Sequence, residues 1–407
     1  MGAHRRPPLL DIQQENRHLG DWGRRTLRIA AVLAVLGLAA SLALGAGAGD
    51  GWQRFGQSYL LNFAYFLSLS LGALFFVLIQ HVTGATWSVV VRRLAEAIAT
   101  NLPWLGLLAI PILLMMGKLY HWTDAAHVAH DPLLQGKAPY LNKTFFMIRM
   151  AVYFLVWTWL SRYYYTRSTR QDASGDIAHT HAMQRLSGPG LVIFAITSTF
   201  AAVDLLMSLE PHWFSTIFGV YYFAGSAVGC FALLALWARL LQRGKILSRA
   251  ITREHYHDLG KLVFAFIVFW AYIAFSQYML IWYANVPEET VWYLARQTGQ
   301  WTAVSVLLLF GHFFAPFLGL LSRYPKRQML LLMPGALWVL FMHWVDLYWL
   351  VMPTFSPERV PLHWLDLTLF VGLGGLSVSL VMLRLRSVAV VPERDPRLAA
   401  SLEFENA

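Results

Sequence analysis

The sequence predicts an all-α, polytopic membrane protein with about ten transmembrane helices. Three observations carry that reading. Of 407 residues, 57% are hydrophobic and only 13% charged, against roughly 25% charged in a soluble globular chain. The apolar residues gather in about ten stretches of roughly 20, the length a helix needs to cross a bilayer core. Lysine and arginine alternate from one inter-helix segment to the next, as the positive-inside rule requires.

The elements follow in order. Residues 1–27 are polar and basic (Arg5, Arg6, Arg17, Arg24, Arg25) and read as a cytoplasmic N-terminal tail. The apolar run behind them is too long for a signal-peptide core, so it reads as a retained first helix over 28–47. The next spans fall near 57–80, 95–116, 144–163, 188–208, 214–238, 261–283, 299–321, 329–350 and 363–383, separated by segments rich in Gly, Pro or charge. A transmembrane domain over 28–383 and a cytoplasmic C-terminal tail over 384–407 complete the division. Pro103 and Pro111 in the third span and Pro316 in the eighth predict bends.

With the N-terminus in the cytoplasm, the inner segments hold 25 of the 32 Lys and Arg, the outer segments hold six, and Arg149 lies within the membrane. One missed or invented helix would break this alternation for everything after it. The net charge of +10 is therefore spread as topology signals and forms no nucleic-acid-binding domain. Seventeen Trp and seventeen Tyr fit aromatic belts at the two interfaces. The single cysteine, Cys230, cannot by itself form a disulfide, an iron–sulfur site or a CxxCH haem attachment.

The chain also repeats itself. Tyr65-Phe66 followed by Gly72 in span 2 matches Tyr222-Phe223 followed by Gly229 in span 6. Leu160-Ser161-Arg162-Tyr163 closes span 4 as Leu321-Ser322-Arg323-Tyr324 closes span 8. Val203-Asp204-Leu205 with Pro211 closes span 5 as Val345-Asp346-Leu347 with Pro353 closes span 9. Matches four spans apart preserve membrane direction, so this is a parallel repeat. It predicts two four-helix bundles, spans 2–5 and 6–9, with spans 1 and 10 peripheral.

Ionisable side chains at membrane depth are costly and mark function by default. Arg149, Asp204, His343, Asp346 and Asp366 fall in the outer half, with Glu210 and His212 at the outer end of span 5. His312 lies near the middle. His81, Glu96, His257 and Asp258 fall in the inner half. Such groups, bridged by waters and by hydroxyls such as that of Tyr278, form a candidate proton path between the two faces. The structural alternative is that they fix helix packing, with Arg149 pairing to Asp204. His312 and His343 supply one haem-ligand pair at most. His127-x-x-His130 in the outer loop lacks a tetrahedral set, so no metal ligands are assigned.

The most specific motifs are Ala202-Val203-Asp204-Leu205 running into Ser208-Leu209-Glu210-Pro211-His212-Trp213-Phe214-Ser215, then Gly219-Val220-Tyr221-Tyr222. Tyr256-His257-Asp258-Leu259-Gly260-Lys261 follows, then Phe269-Trp270-Ala271-Tyr272 and Ser276-Gln277-Tyr278. In these the chain resembles the NrfD/polysulfide-reductase-C family of quinone-interacting membrane subunits, over about residues 50–385. The resemblance is to the shorter, second of the two such subunits of bacterial alternative complex III.

The resemblance implies a subunit of a respiratory quinol:electron-acceptor oxidoreductase in the bacterial inner membrane. Its partners would be an NrfD-like sibling and outer-face iron–sulfur and haem c subunits, with membrane lipid around it. Electrons would pass through those partners to cytochrome c or a similar acceptor. This chain would contribute a proton path and an anchor, with no catalytic residue and no redox metal centre of its own. A quinol, such as menaquinol, and structural lipid are the small molecules expected. A quinone pocket within this chain, or a stand-alone proton-coupled transporter, are the alternatives.

Overall fold

The computed structural model describes residues 11–406, and the described residues hold helices and no strand. Among the described residues, ten helices are long and apolar enough to cross a membrane: α1 Gly20–Gly47, α2 Gln53–Val82, α3 Val89–Leu114, α4 Lys143–Ser174, α5 Ala178–Leu209, α6 Phe218–Arg243, α7 Arg253–Ala284, α8 Trp301–Leu320, α9 Met329–Thr354 and α10 Trp364–Leu385. The chain is a multi-pass membrane protein. Ten crossings bring its two ends to one face, the terminal face; the other is the opposite face.

Several helices extend beyond the stretches that hydropathy marks. α4 runs on to Ser174 and α7 starts already at Arg253. Apolar composition follows the hydrocarbon, whereas backbone hydrogen bonding continues into the polar zone, where a helix needs no apolar surface.

α2 and α6 form the centre, and both are largely buried inside the protein. They cross where Gly72 removes the side chain, because a Cβ there would collide with the Ser226 carbonyl oxygen. Small residues at such a crossing let backbones approach, which is how helices associate in lipid. α2 packs with α3 and α5, and α4 closes that bundle against α3 and α5. α6 packs with α7 and α9, and α8 fills the gap between those two. The two four-helix bundles expected from the repeat are therefore present. α1 and α10 pair with each other outside them, and a Cβ on Gly37 would come within 2.5 Å of the Gly372 backbone nitrogen.

Two spans depart from regular helix. α3 is broken into Val89–Ala99, Leu102–Leu108 and Ile110–Leu114, in register with Pro103 and Pro111. In α8, residues Leu308–Phe314 form a wider π-helical turn just ahead of Pro316. The proline lacks an N–H and its ring crowds the carbonyl four residues back, which is that of His312. The widened turn therefore falls on the one histidine of this helix.

The sequence reading missed a short helix, Pro287–Gln297, lying across the opposite face between α7 and α8. It is too short and too charged to register as a span. The residues assigned to a C-terminal tail also pack. Val390 donates a backbone hydrogen bond to the Arg17 carbonyl, and Val391, Asp395, Leu398 and Ser401 are buried against the terminal face.

Candidate functional site

The ionisable residues fall into separate groups, which differ in whether their charge is matched. The second bundle holds the group in which it is not. His343 and Asp346 are three residues apart on α9 and so share a face, and both are buried. Asp346 Oδ1 accepts from the Tyr221 hydroxyl of α6, and Oδ2 accepts from Trp270 Nε1 of α7 at 3.1 Å. Among the described residues no cation lies within ion-pair distance of it. Charge on this carboxyl is thus met by two neutral donors alone.

His343 Nε2 lies 2.8 Å from Ser68 Oγ of α2, and the Tyr65 ring sits 5.5 Å away. Among the described residues its Nδ1 has no partner. Gly225 of α6 makes room for both groups. A Cβ there would fall 3.0 Å from His343 Nδ1 and 3.7 Å from Asp346 Oδ2. His312, held in the π-helical turn of α8, stacks on Trp270 at 4.0 Å, and neither of its ring nitrogens finds a partner among the described residues. A buried histidine without partners is costly. His312 and Asp346 both touch the Trp270 indole, and His343 stands one helical turn from Asp346, so two imidazoles with open nitrogens and a carboxyl gather where bridging water can complete their hydrogen bonds.

Above this cluster, toward the opposite face, a polar column continues. Ser215 donates to Gln277 at 2.9 Å, and Gln277 donates to the Tyr293 hydroxyl at 3.1 Å. Arg296, fully buried, donates to Glu210 at 3.0 Å and to the Trp349 and Leu350 carbonyls, with its guanidinium 3.6 Å over the Trp292 ring. Burial pulls the Arg296 pKa down, against the opposing pull of Glu210. Thr354 donates to the same Glu210 oxygen at 2.7 Å. Tyr278 meets the edge of Tyr293 at 5.1 Å.

Asp204, the sequence counterpart of Asp346, has a different setting. Arg149 grips it in a two-pronged fork, Nε to Oδ2 at 2.8 Å and Nη2 to Oδ1 at 2.9 Å, and Tyr153 donates at 2.8 Å. The guanidinium also lies 3.8 Å from the Tyr140 ring centre. The Tyr140 hydroxyl is pushed up to about 12, by burial first and by Asp204 second. This geometry suits a fixed ion pair. The two aspartates share sequence position but differ in charge environment.

On the terminal face Glu96 is clamped between Arg92 Nε at 3.2 Å and Arg93 Nε at 3.0 Å. Arg92 reaches Asp395 at 2.5 Å and Arg93 reaches Asp172 at 2.8 Å. Burial alone would raise the Asp395 pKa, but Arg92 and Arg397 outweigh it and hold the carboxyl well below the ordinary range. His81 is buried nearby against Tyr164, ring centres 5.4 Å apart, with both nitrogens unpartnered. Asp258 pairs with Lys261 at the same face.

The structure thus brings together His312, His343 and Asp346. It sets Glu210 and Tyr278 above them, Arg149 with Asp204 in the other bundle, and His81, Glu96 and Asp258 at the terminal face. The sequence reading passed over Tyr221, Trp270, Ser68 and Arg296. Tyr221 and Trp270 lay inside the quoted motifs, yet as uncharged residues they carried no membrane-cost signal. Arg296 was counted as an outer-loop charge, and only its long-range contact with Glu210 reveals it.

A half-open cavity of about 650 Å³ lies between the bundles, lined by α2, α3, α6, α9 and α10. Its wall is mostly apolar and aromatic, with Tyr65, Phe370 and Trp344 on it, and Asn101 lines it with an unpartnered Oδ1. Tyr65 also borders His343, so the cavity adjoins the cluster. No protein-family model matches the chain, and no curated protein matches it.

Proposed function

We propose that this chain is an integral membrane subunit of a respiratory quinol:electron-acceptor oxidoreductase, of the alternative complex III kind. It sits in a bacterial inner membrane with both termini in the cytoplasm. That orientation is supported by the excess of Lys and Arg in the segments of the terminal face. The chain carries protons and anchors the complex. An NrfD-like sibling and outer-face iron–sulfur and haem c subunits carry the electrons. The family assignment itself rests on the motif residues Ala202–Ser215 and Tyr256–Tyr278.

The observation that carries the proton role is the unmatched carboxyl of Asp346 beside the unpartnered nitrogens of His343 and His312. A group held by an arginine stays charged and fixed. A carboxyl facing only neutral donors can take and release a proton as its neighbours do. Asp346 would receive a proton from the histidine side and pass it toward Gln277, Tyr293 and Glu210 through intervening water.

Extraction from native membranes, followed by an absorption spectrum and a subunit gel, tests the assignment. The expected result is co-purification with haem-bearing and iron–sulfur partners. A single polypeptide free of haem absorbance overturns it in favour of a stand-alone proton-coupled transporter. The cavity of about 650 Å³ favours a second reading, in which this chain also holds a quinol of its own. Quinone that co-purifies with the wild type and is lost in Asn101→Leu is its expected sign; unchanged quinone content removes it.

A further inference from the structure

The terminal face carries a groove that neither the proton cluster nor the family motifs use. It has a volume of about 380 Å³ and lies between the first turn of α7 and the turn Arg323–Gln328 that joins α8 to α9. Arg253, Glu254, Arg323, Tyr324 and Arg327 line it. Arg327 pairs with Glu254. Arg253 and Arg323 are exposed, and among the described residues no acid lies within ion-pair distance of either. Three guanidiniums therefore face one carboxylate in a concave site.

The local chain explains the shape. α4 passes through its Leu-Ser-Arg-Tyr motif as unbroken helix, whereas α8 ends at it, with Ser322 extended. Pro325 follows the motif after α8 but has no counterpart in α4. Lys326 is turned inward, donating to the Leu320 carbonyl at 2.8 Å, so the turn presents Arg323, Tyr324 and Arg327 outward. Beside the groove the surface is hydrocarbon-like. Leu318, Leu321 and Leu330 are 65%, 56% and 87% exposed, and Tyr324 is 63% exposed. The basic groove thus lies at the ends of α8 and α9, and the same ends carry these exposed leucines within a few residues of Arg323 and Arg327.

We propose that this groove binds the headgroup of an anionic phospholipid, with the acyl chains lying along Leu318, Leu321 and Leu330. Guanidinium matches the paired oxygens of a phosphodiester, and basic pockets between membrane helices take anionic headgroups. A soluble anion would use the arginines but gain nothing from the leucines. The site depends only on the membrane-embedded fold, so it stands or falls separately from the respiratory reading.

The test uses the full-length protein in neutral detergent, with melting temperature and native mass spectrometry as readouts. Phosphatidylglycerol is titrated against phosphatidylcholine and against inorganic phosphate. The expected result is a rise in melting temperature and retained lipid with phosphatidylglycerol alone. Arg253→Gln/Arg323→Gln should weaken that binding at least about tenfold, while Arg239→Gln/Arg243→Gln, with the same charge loss on the same face, leaves it unchanged. If the first double variant does not fold, Arg323→Gln alone is titrated, with a smaller loss expected. Equal response to the two lipids, an equal effect of phosphate, or equal loss in both double variants overturns the proposal.

Discussion

At the scale of single residues, two aspartates in matching sequence positions differ in charge environment because of what faces them. Asp204 sits in a fork from Arg149, whereas Asp346 meets only a phenol and an indole. Removing one partner of a buried ion pair costs roughly 3–5 kcal/mol, since the other charge is left uncompensated. Asp204→Asn should therefore lower the melting temperature and the yield of folded protein. Asp346→Asn removes no cation's partner and should assemble normally. On the proposed function, turnover with quinol, or proton release per electron, should fall roughly 100-fold in this variant, the lower range for a positioned proton-transfer group. Wild-type turnover in assembled Asp346→Asn would take this residue off the path. Gly225→Ala supplies a finer probe. The added methyl falls 2.8 Å from His343 Cε1, so the imidazole must shift, at a cost of roughly 1–3 kcal/mol. The expected phenotype is reduced turnover in a correctly assembled complex, and unaltered kinetics would show that the position of His343 does not matter. His343, Asp346 and His312 were legible in the sequence because a titratable group in an apolar run is conspicuous. Their matched or unmatched state was not, because it is fixed by Tyr221, Trp270 and Arg149 on other helices.

At the scale of elements, the spans were legible because lipid imposes a length and a composition on each. What lay outside the hydrocarbon was not. The helix Pro287–Gln297 is tied down through Arg296, whose partners Glu210, Trp349 and Leu350 lie more than fifty residues away in the sequence. The stretch after α10 reads as a polar tail, yet its Asp395 completes a buried network with Arg92. That contact has a pH signature. The folded-state pKa of Asp395 lies below its unfolded value of about 3.9. Its contribution is therefore fully present above that value and is lost as pH falls toward the folded pKa. The segment after α10 should stay docked from neutral pH down to about pH 4 and loosen only in stronger acid. Pepsin cleavage within residues 387–402, followed between pH 2 and 5, measures this. Asp395→Asn should expose the same bonds already at pH 5, and equal cleavage of mutant and wild type there would show that the ion pair does not hold the segment.

At the scale of the whole molecule, the repeat in the sequence becomes two bundles joined along α2 and α6. The joint has no hydrophobic driving force of its own, because lipid tails are as apolar as leucine. It depends on close backbone approach, and Gly72 lies at the closest point, against the Ser226 carbonyl and Cys230. The same crossing brings Ser68 to His343 and sets the spacing of the cavity between the bundles. Spreading α2 from α6 should therefore damage folding, the cluster around His343 and Asp346, and the cavity together. Gly72→Leu tests this against Gly188→Leu, a substitution in α5 where nothing lies within 4 Å of the added Cβ. Both changes add the same apolar side chain to a membrane helix, so they differ only in what it meets. Gly188→Leu should extract as a monodisperse particle with near-normal turnover, since replacing an unconstrained helical glycine relieves a backbone cost of roughly 0.5–1 kcal/mol. Gly72→Leu should aggregate on size exclusion or lose all turnover, because a backbone carbonyl cannot move aside as a side-chain tip can. Normal extraction and turnover in Gly72→Leu would mean that the two halves are held by something other than this crossing.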